Sequence, residues 1–241
     1  MEKDEYFKMY EIGDTHWWFV GQKDMVLSII QKNVKSKGKL ILDLGCGPGR
    51  MIKPLSYFGS VIGVDIEKDA LDLCKKRGIR NVVRADCAYL PFKDNCIDII
   101  TNIDLLYHRR ADENKIIADE SRVLKKNGFL LITDSAFEFL RSSHDRAMHT
   151  RKRFTLKQIK ELVQSHNFKI IKSSYWNFFL FPIVAITRIL RKSIKDRGSD
   201  VEEIGEIPNK ALKKILLYET KLMEHINFPF GVSVVCLAKK E

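Results

Sequence analysis

With 241 residues, 45% of them hydrophobic and 30% charged, the chain can bury one substantial core, and it contains no repeat and no low-complexity tract; disorder and solenoid architectures are excluded. The formal charge of +11 is concentrated, because Arg141 to Arg197 holds 14 Lys plus Arg against 3 acids and the remainder is balanced. Such a surface faces either water or an anionic partner: lipid headgroups, a phosphorylated substrate or nucleic acid.

The charged start, MEKDEYFKMYEIGD, lacks the apolar segment of a secretory signal. HWWF (16–19) precedes DMVLSIIQKNV, whose spacing predicts a helix over 24–34. KLILDL (39–44) reads as a buried strand, residues 49–58 as a short helix limited by Pro54, and SVIGVDI (60–66) as a strand. KDALDLCKKRG (68–78) reads as a helix stopped by Gly78. RNVVRAD (80–86), CIDIITNID (96–104) and GFLLITDS (128–135) are further strands, and DENKIIADESRVLKKNG (112–128) is a helix closing on Gly128. KIIKSSYWN (169–177) and GVSVVCLAKK (231–240) are two more strands, the last suited to an antiparallel hairpin. This alternation implies a parallel sheet with helices on both faces. No apolar run approaches the roughly 20 residues of a membrane span. Cys46, Cys74, Cys87, Cys96 and Cys236 form no CxxC pair and no zinc-type spacing, which suits reduced, buried thiols of a cytoplasmic protein.

LILDLGCGPGR (40–50) is the most informative stretch. Three glycines, Gly45, Gly47 and Gly49, follow an apolar strand that ends in an acid, Asp43. A glycine-rich turn between a first strand and its helix brings backbone N–H groups close to a ligand. The spacing is GxGxG rather than the GxGxxG of nicotinamide-binding folds, and it has support. Asp65 ends the second strand, where a carboxylate can accept both hydroxyls of a ribose. Asp86 ends the third, where it can accept an exocyclic amine. Three acids at consecutive strand ends suit a nucleoside without phosphates, which they would repel.

DLGCGPG, GVDI, RADCAYLPFKDNCIDIITNIDLLYH and ESRVLKKNGFLLITD, in this order and over residues 39–135, resemble the successive motifs of class I S-adenosylmethionine-dependent methyltransferases. The resemblance implies a Rossmann-like, doubly wound α/β fold with a seven-stranded, mostly parallel sheet and an antiparallel last strand, and S-adenosyl-L-methionine as cofactor. It places Gly45, Gly47 and Gly49 along the methionine part of the cofactor, with Asp43 near the ammonium group. Asp65 would hold the ribose, Ile66 would pack on the adenine, Asp86 would take its amine and Cys87 would lie beside the ring. Asn102 to Leu105 would line the cleft below the sulfonium.

HWWF, SSHDRAMHTRKRFT (142–155) and FPFGVSVV (228–235) are similar to a subgroup of small-molecule, ubiquinone-biosynthesis-like methylases. Phe154 replaces the subgroup's usual Tyr, and Gln22 stands where Arg is common. His16, Trp17 and Trp18 either staple the N-terminal segment to the core or form part of a lid over cofactor and substrate. An acceptor hydroxyl or phenol would benefit from a general base, for which His108, His144 and His149 are candidates, with Asp145 as an orienting group. Arg153 belongs to the same run. As a metal site this cluster lacks a further ligand, so no metal is expected.

The expected organisation is a helical lid over 1–36, a cofactor-binding domain over 37–176 and 226–241, and a helical cap inserted over 177–225. Within the cap, Ile183, Ile186, Ile189, Leu190 and Ile194 share one helical face, and Arg188, Arg191, Lys192 and Lys195 another. The reading is a cap whose apolar face packs over the acceptor site and whose rim is positive, giving a small-molecule acceptor that is anionic or lipid-linked. The alternative for this helix is peripheral contact with an anionic membrane. Nucleic acid is disfavoured, since NIDLL replaces the N/D-P-P-Y/F motif of base-amine methylation. Protein or RNA methylation on the basic surface and a non-catalytic cofactor-binding protein are the competing functions.

Overall fold

Seven strands make one sheet: β1 (Lys39–Leu44), β2 (Gly59–Asp65), β3 (Val82–Arg84), β4 (Ile97–Ile103), β5 (Leu124–Ser135), β6 (Phe168–Trp176) and β7 (Ser233–Lys240). The structure is a computed structural model and describes residues 1–191 and 204–241. The strand order is β3-β2-β1-β4-β5-β7-β6. β1 to β5 pair in parallel, and β7 lies antiparallel between β5 and β6. The sheet is the expected Rossmann-like one with its last strand reversed. β7 is not one arm of a simple hairpin, because more than fifty residues separate Trp176 from Ser233.

The helices are α1 (Lys3–Ile12), α2 (Trp17–Asn33), α3 (Ile52–Leu55), α4 (Lys68–Lys76), α5 (Glu113–Val123), α6 (Ser143–Ala147), α7 (Leu156–Gln164), α8 (Phe181–Arg191) and α9 (Glu206–Met223). Strand residues alternate between the two faces. Leu42, Leu44 and Ile100 join Ile116 and Ile117 of α5 and Ile159 and Val163 of α7 in one core. Ile41, Ile99 and Leu131 join Met25 and Ile29 of α2, Leu71 of α4 and Leu216 of α9 in the other. Burying one such aliphatic side chain contributes about 1.5–3 kcal/mol. The N-terminal segment thus divides its work: α1 and the first turn of α2 reach the cavity described below, while the rest of α2 is core.

The helix expected to close on Gly128 stops at Val123. Wholly buried Leu124 pairs opposite Ile97 and already begins β5. The left-handed residue of the following turn is Asn127, with φ 65°; Gly128 instead gives close packing, since a Cβ there would lie 2.8 Å from the Lys125 carbonyl oxygen.

α8 starts where Pro182 suggests, but it faces the other way. Ile183, Ile186 and Ile189 are 64%, 58% and 50% exposed, whereas Val184, Thr187 and Arg188 turn to the cavity. The expected packing of Ile183 and Ile186 over the acceptor site is therefore not made. Small, buried Ala185 lets the helix approach the domain, and Phe137, Phe139 and Phe230 already surround Phe181 at its start. The side chains of Leu190 and Arg191, and Lys192, Ile194, Lys195 and Arg197 altogether, lie outside what the structure describes.

Candidate cofactor site and catalytic cavity

A cavity of about 850 Å³ opens at the carboxyl ends of β1, β2 and β4, the edge at which open α/β sheets bind ligands. α1, the start of α2, α6 and α8 contribute to its walls. Its floor is the glycine turn. Gly47 has φ 53°, and a Cβ added there would meet no atom within 4 Å; the bare backbone leaves room in the cavity for a ligand. Gly49 does something else and lies off the cavity wall. A Cβ on it would sit 2.9 Å from Cys74 Sγ, so Gly49 seats the turn against α4.

The strand-end acids take distinct positions. Asp65 is buried, and its Oδ2 and Oδ1 accept the N–H groups of Gly47 and Glu67, both at 2.9 Å. Burial raises its pKa despite those bonds. Asp43, fully enclosed, accepts from Thr101 Oγ1 at 2.8 Å, and burial pushes its pKa up to about 6. Asp86 is exposed at the cavity edge and accepts the Ala88 N–H. Ile66 lies between these acids with 40% of its surface open, and Cys87 and Leu105 complete this end. Asn102 does not line the cavity: it turns through the sheet to donate to Glu120 Oε1 of α5 at 2.7 Å. The residue from that stretch which reaches the cavity between Ile103 and Leu105 is Asp104.

Asp104 belongs to a chain of polar contacts that sequence reasoning missed. It has φ 54° at the end of β4. Gln22 of α2 donates to its Oδ2 at 2.7 Å, and Arg50 donates to Gln22 Oε1 at 2.7 Å and to the Phe19 carbonyl at 2.9 Å. Burial pushes the Arg50 pKa down to about 10, against the pull of Asp104 and Asp43, and burial raises that of Asp104. An Arg immediately after GxGxG and an acid inside an apolar strand end were the available signals. Gln22, where Arg is common in the subgroup, thus ties α2 to the glycine turn.

His16, His108, His144 and His149 all line the cavity, as do Trp17, Trp18 and Arg153. His16 caps α2, its Nδ1 accepting the Trp18 N–H at 3.3 Å. Trp18 packs 5.0 Å from the buried ring of Trp176, and Asn209 of α9 accepts the Trp17 N–H at 2.8 Å. HWWF is both staple and wall. His108 is held by burial at a pKa of about 4 and donates to the Met148 carbonyl. His149 has φ 51°, and its Nδ1 lies 3.3 Å from the Met1 amino group.

Asp145 does not orient a histidine in this arrangement. Arg153 donates to it twice, at 2.8 and 3.1 Å, and both side chains are 1% exposed. Burial raises the Asp145 pKa, but the Arg153 charge and hydrogen bonds outweigh it and the net direction is down. Arg153 also donates to the Ala136 carbonyl at 3.0 Å, which anchors α6 to the end of β5. Phe154, in place of Tyr, is a core ring, 1% exposed.

Residues 42–132 match the family described as "Methyltransferase domain". Residues 42–132 thus form a methyltransferase domain. Among similar proteins, the ubiquinone/menaquinone biosynthesis C-methyltransferase UbiE of Wigglesworthia glossinidia brevipalpis is 30% identical over 131 residues, covering 48% of this chain and 52% of that protein. The tRNA (carboxymethyluridine(34)-5-O)-methyltransferase of Arabidopsis thaliana is 35% identical over 105 residues, 42% of this chain and 25% of that one. The chain thus spans about half or less of these curated relatives' lengths. In fold it is similar to a SAM-dependent methyltransferase from Archaeoglobus fulgidus, with a TM-score of 0.58 at 17% identity, over 90% of this chain and 94% of that one.

The cavity wall fits the cofactor of this domain class, S-adenosylmethionine. Open space over Gly47 accommodates a chain passing the turn, partly exposed Ile66 offers an apolar surface to a base, and the Asp65 and Asp86 carboxylates can accept from ribose hydroxyls and an exocyclic amine.

Proposed function

We propose that the protein transfers a methyl group from S-adenosylmethionine to a small acceptor, partly apolar and anionic or lipid-linked, inside this cavity. The observation that carries the reading is that one cavity brings two sets of residues together. Strand-end acids, the glycine turn and Ile66 share that cavity with His144, His149, Val184 and Arg188. A volume of about 850 Å³ lies within the range of roughly 300–1,000 Å³ for small-molecule sites.

S-adenosylmethionine supplies an electrophilic methyl group. The chain's own contribution is alignment and the exclusion of water. Asp65 and Asp86 orient the nucleoside, and the turn at Gly45–Gly47 sets the depth of the methionyl arm. Arg188 supplies positive charge beside an anionic acceptor group. His144 and His149 are the candidates for taking the acceptor's proton. His108 is poorly suited, since burial holds its pKa at about 4, against the opposing effect of its bond to Met148, and leaves it little basicity.

The test is incubation of cell extract with the protein and a deuteromethyl-labelled cofactor, followed by mass spectrometry. A mass-shifted small molecule supports the reading. Label found only in protein or RNA transfers the assignment to those acceptors, and cofactor binding without any labelled product would indicate a non-catalytic binder.

A further inference from the structure

Arg50 and Asp104 are opposite charges on the cavity wall that do not pair with each other. The Gln22 amide stands between them. Its Nε2 donates to Asp104 Oδ2 and its Oε1 accepts from Arg50 Nη2, both at 2.7 Å. The Phe19 carbonyl accepts from Arg50 Nη1 at 2.9 Å, and the guanidinium lies 4.8 Å from the centre of the Phe19 ring. These contacts fix the guanidinium fork without using all of its N–H groups. Among the described residues, Arg50 forms no ion pair with a carboxylate, and Asp104 Oδ1 accepts no hydrogen bond. Arg153, whose charge also reaches Asp104, is committed to Asp145. Charges held largely out of water ordinarily find a partner. Burial lowers the Arg50 pKa and raises that of Asp104, so each charge is short of compensation.

The pair occupies the crevice where the strand order reverses, between β1 and β4, which is where open α/β sheets bind ligands. Arg50 follows the glycine turn after β1, and Asp104 follows Ile103, the last residue of β4. The next residue, Leu105, packs on that turn, since a Cβ on Gly45 would lie 3.0 Å from its side chain. The two charges therefore adjoin the stretch of backbone beside which the methionyl arm of the cofactor runs. We infer that Arg50 and Asp104 recognise the zwitterionic head of that arm, the guanidinium taking the α-carboxylate and Asp104 Oδ1 the α-ammonium.

An α-amino acid carries both its charges on one carbon, and the wall presents their complements one amide apart. Such a ligand completes both charges at once through charge-assisted hydrogen bonds and adds no net charge to the cavity. Asp43 is less suited to the ammonium, being 2% exposed and bonded to Thr101. Gln22 is a positioning residue, because its amide keeps the two wall charges from collapsing onto each other. The inference rests on the cofactor half of the function proposed above and is independent of the acceptor.

The experiment is calorimetry of the full chain with two ligands. S-adenosylhomocysteine has the amino-acid head; 5′-methylthioadenosine keeps the nucleoside and the sulfur but lacks the head. The parent should bind S-adenosylhomocysteine about tenfold more tightly or better. Arg50→Gln and Asp104→Asn should each weaken S-adenosylhomocysteine by about tenfold or more and leave the affinity for 5′-methylthioadenosine unchanged. That second affinity also shows that the variants are folded. Variants that bind S-adenosylhomocysteine as well as the parent overturn the inference. So does an equal loss for both ligands, which would make the bridge a strut of the glycine turn, and so does a parent without preference for the head. Each of these results leaves the nucleoside site standing. A parent that binds neither ligand removes the cofactor site itself, and this assignment with it.

Discussion

Both oxygens of Asp65 already accept a backbone N–H, from Gly47 and Glu67. Each keeps one further lone pair, so the carboxylate can shape the turn and accept ribose hydroxyls together. Asp65→Ala should weaken S-adenosylmethionine binding by about 1–3 kcal/mol, the range for a lost charged acceptor. Calorimetry measures this, and unchanged affinity would remove Asp65 from the ribose site. Gln22 is the second residue of consequence. Replacing it by Ala leaves Arg50 and Asp104 facing each other across a gap without their bridge, and should cost about 1–3 kcal/mol in chemical denaturation. Once a labelled product has named the acceptor, His144→Ala and His149→Ala can be assayed with it. A loss of about 100-fold in turnover with cofactor affinity intact identifies the base; full activity in both variants would leave the proton to water.

At the scale of elements, β4 and α5 are joined by a protonated carboxyl. Burial pushes Glu120 up to about 8 from 4.5, only partly opposed by the Asn102 hydrogen bond. The native state thus binds more protons than the unfolded chain between those values. The stability this group contributes is complete below pH 4.5, declines through the window and is gone above about pH 8. Glu120→Gln keeps an acceptor for Asn102 and cannot ionise, so at pH 9 its Tm should exceed that of the parent, with a smaller difference at pH 5. A parent curve flat from pH 5 to 9 would refute the assignment. The elements also show what the sequence could convey. GxGxG and the acids at 43, 65 and 86 were legible because strand ends and left-handed turns are set by a few adjacent residues. The direction of Asn102, the pairing of Asp145 with Arg153 and the outward roll of α8 were not. Each depends on which distant group fills the space: Glu120, the Ala136 carbonyl, and the aromatic rings around Phe181. Periodicity identified the two faces of α8 but carried no information on which one the domain would accept.

For the whole molecule, cofactor and fold are linked through α2, whose core face and cavity turn belong to one rigid helix. Ligand at about 100 times its Kd stabilises a native state by about 2.7 kcal/mol, so S-adenosylmethionine should raise the Tm of the full chain while NAD leaves it unchanged. A shift with NAD alone would contradict the strand-end reading. Strand order has a further consequence, for synthesis. β7 lies between β5 and β6 in the sheet yet follows both in the chain, with more than fifty residues between Trp176 and Ser233. At roughly 5–20 residues per second, several seconds pass after β6 is made before its neighbour exists. Throughout that interval the edge of β5, with Leu130, Leu131 and Ile132, has no strand to cover it, and an uncovered apolar edge invites pairing with other chains. Nascent chains halted before residue 233 should therefore be the species that chaperones capture and that aggregates first.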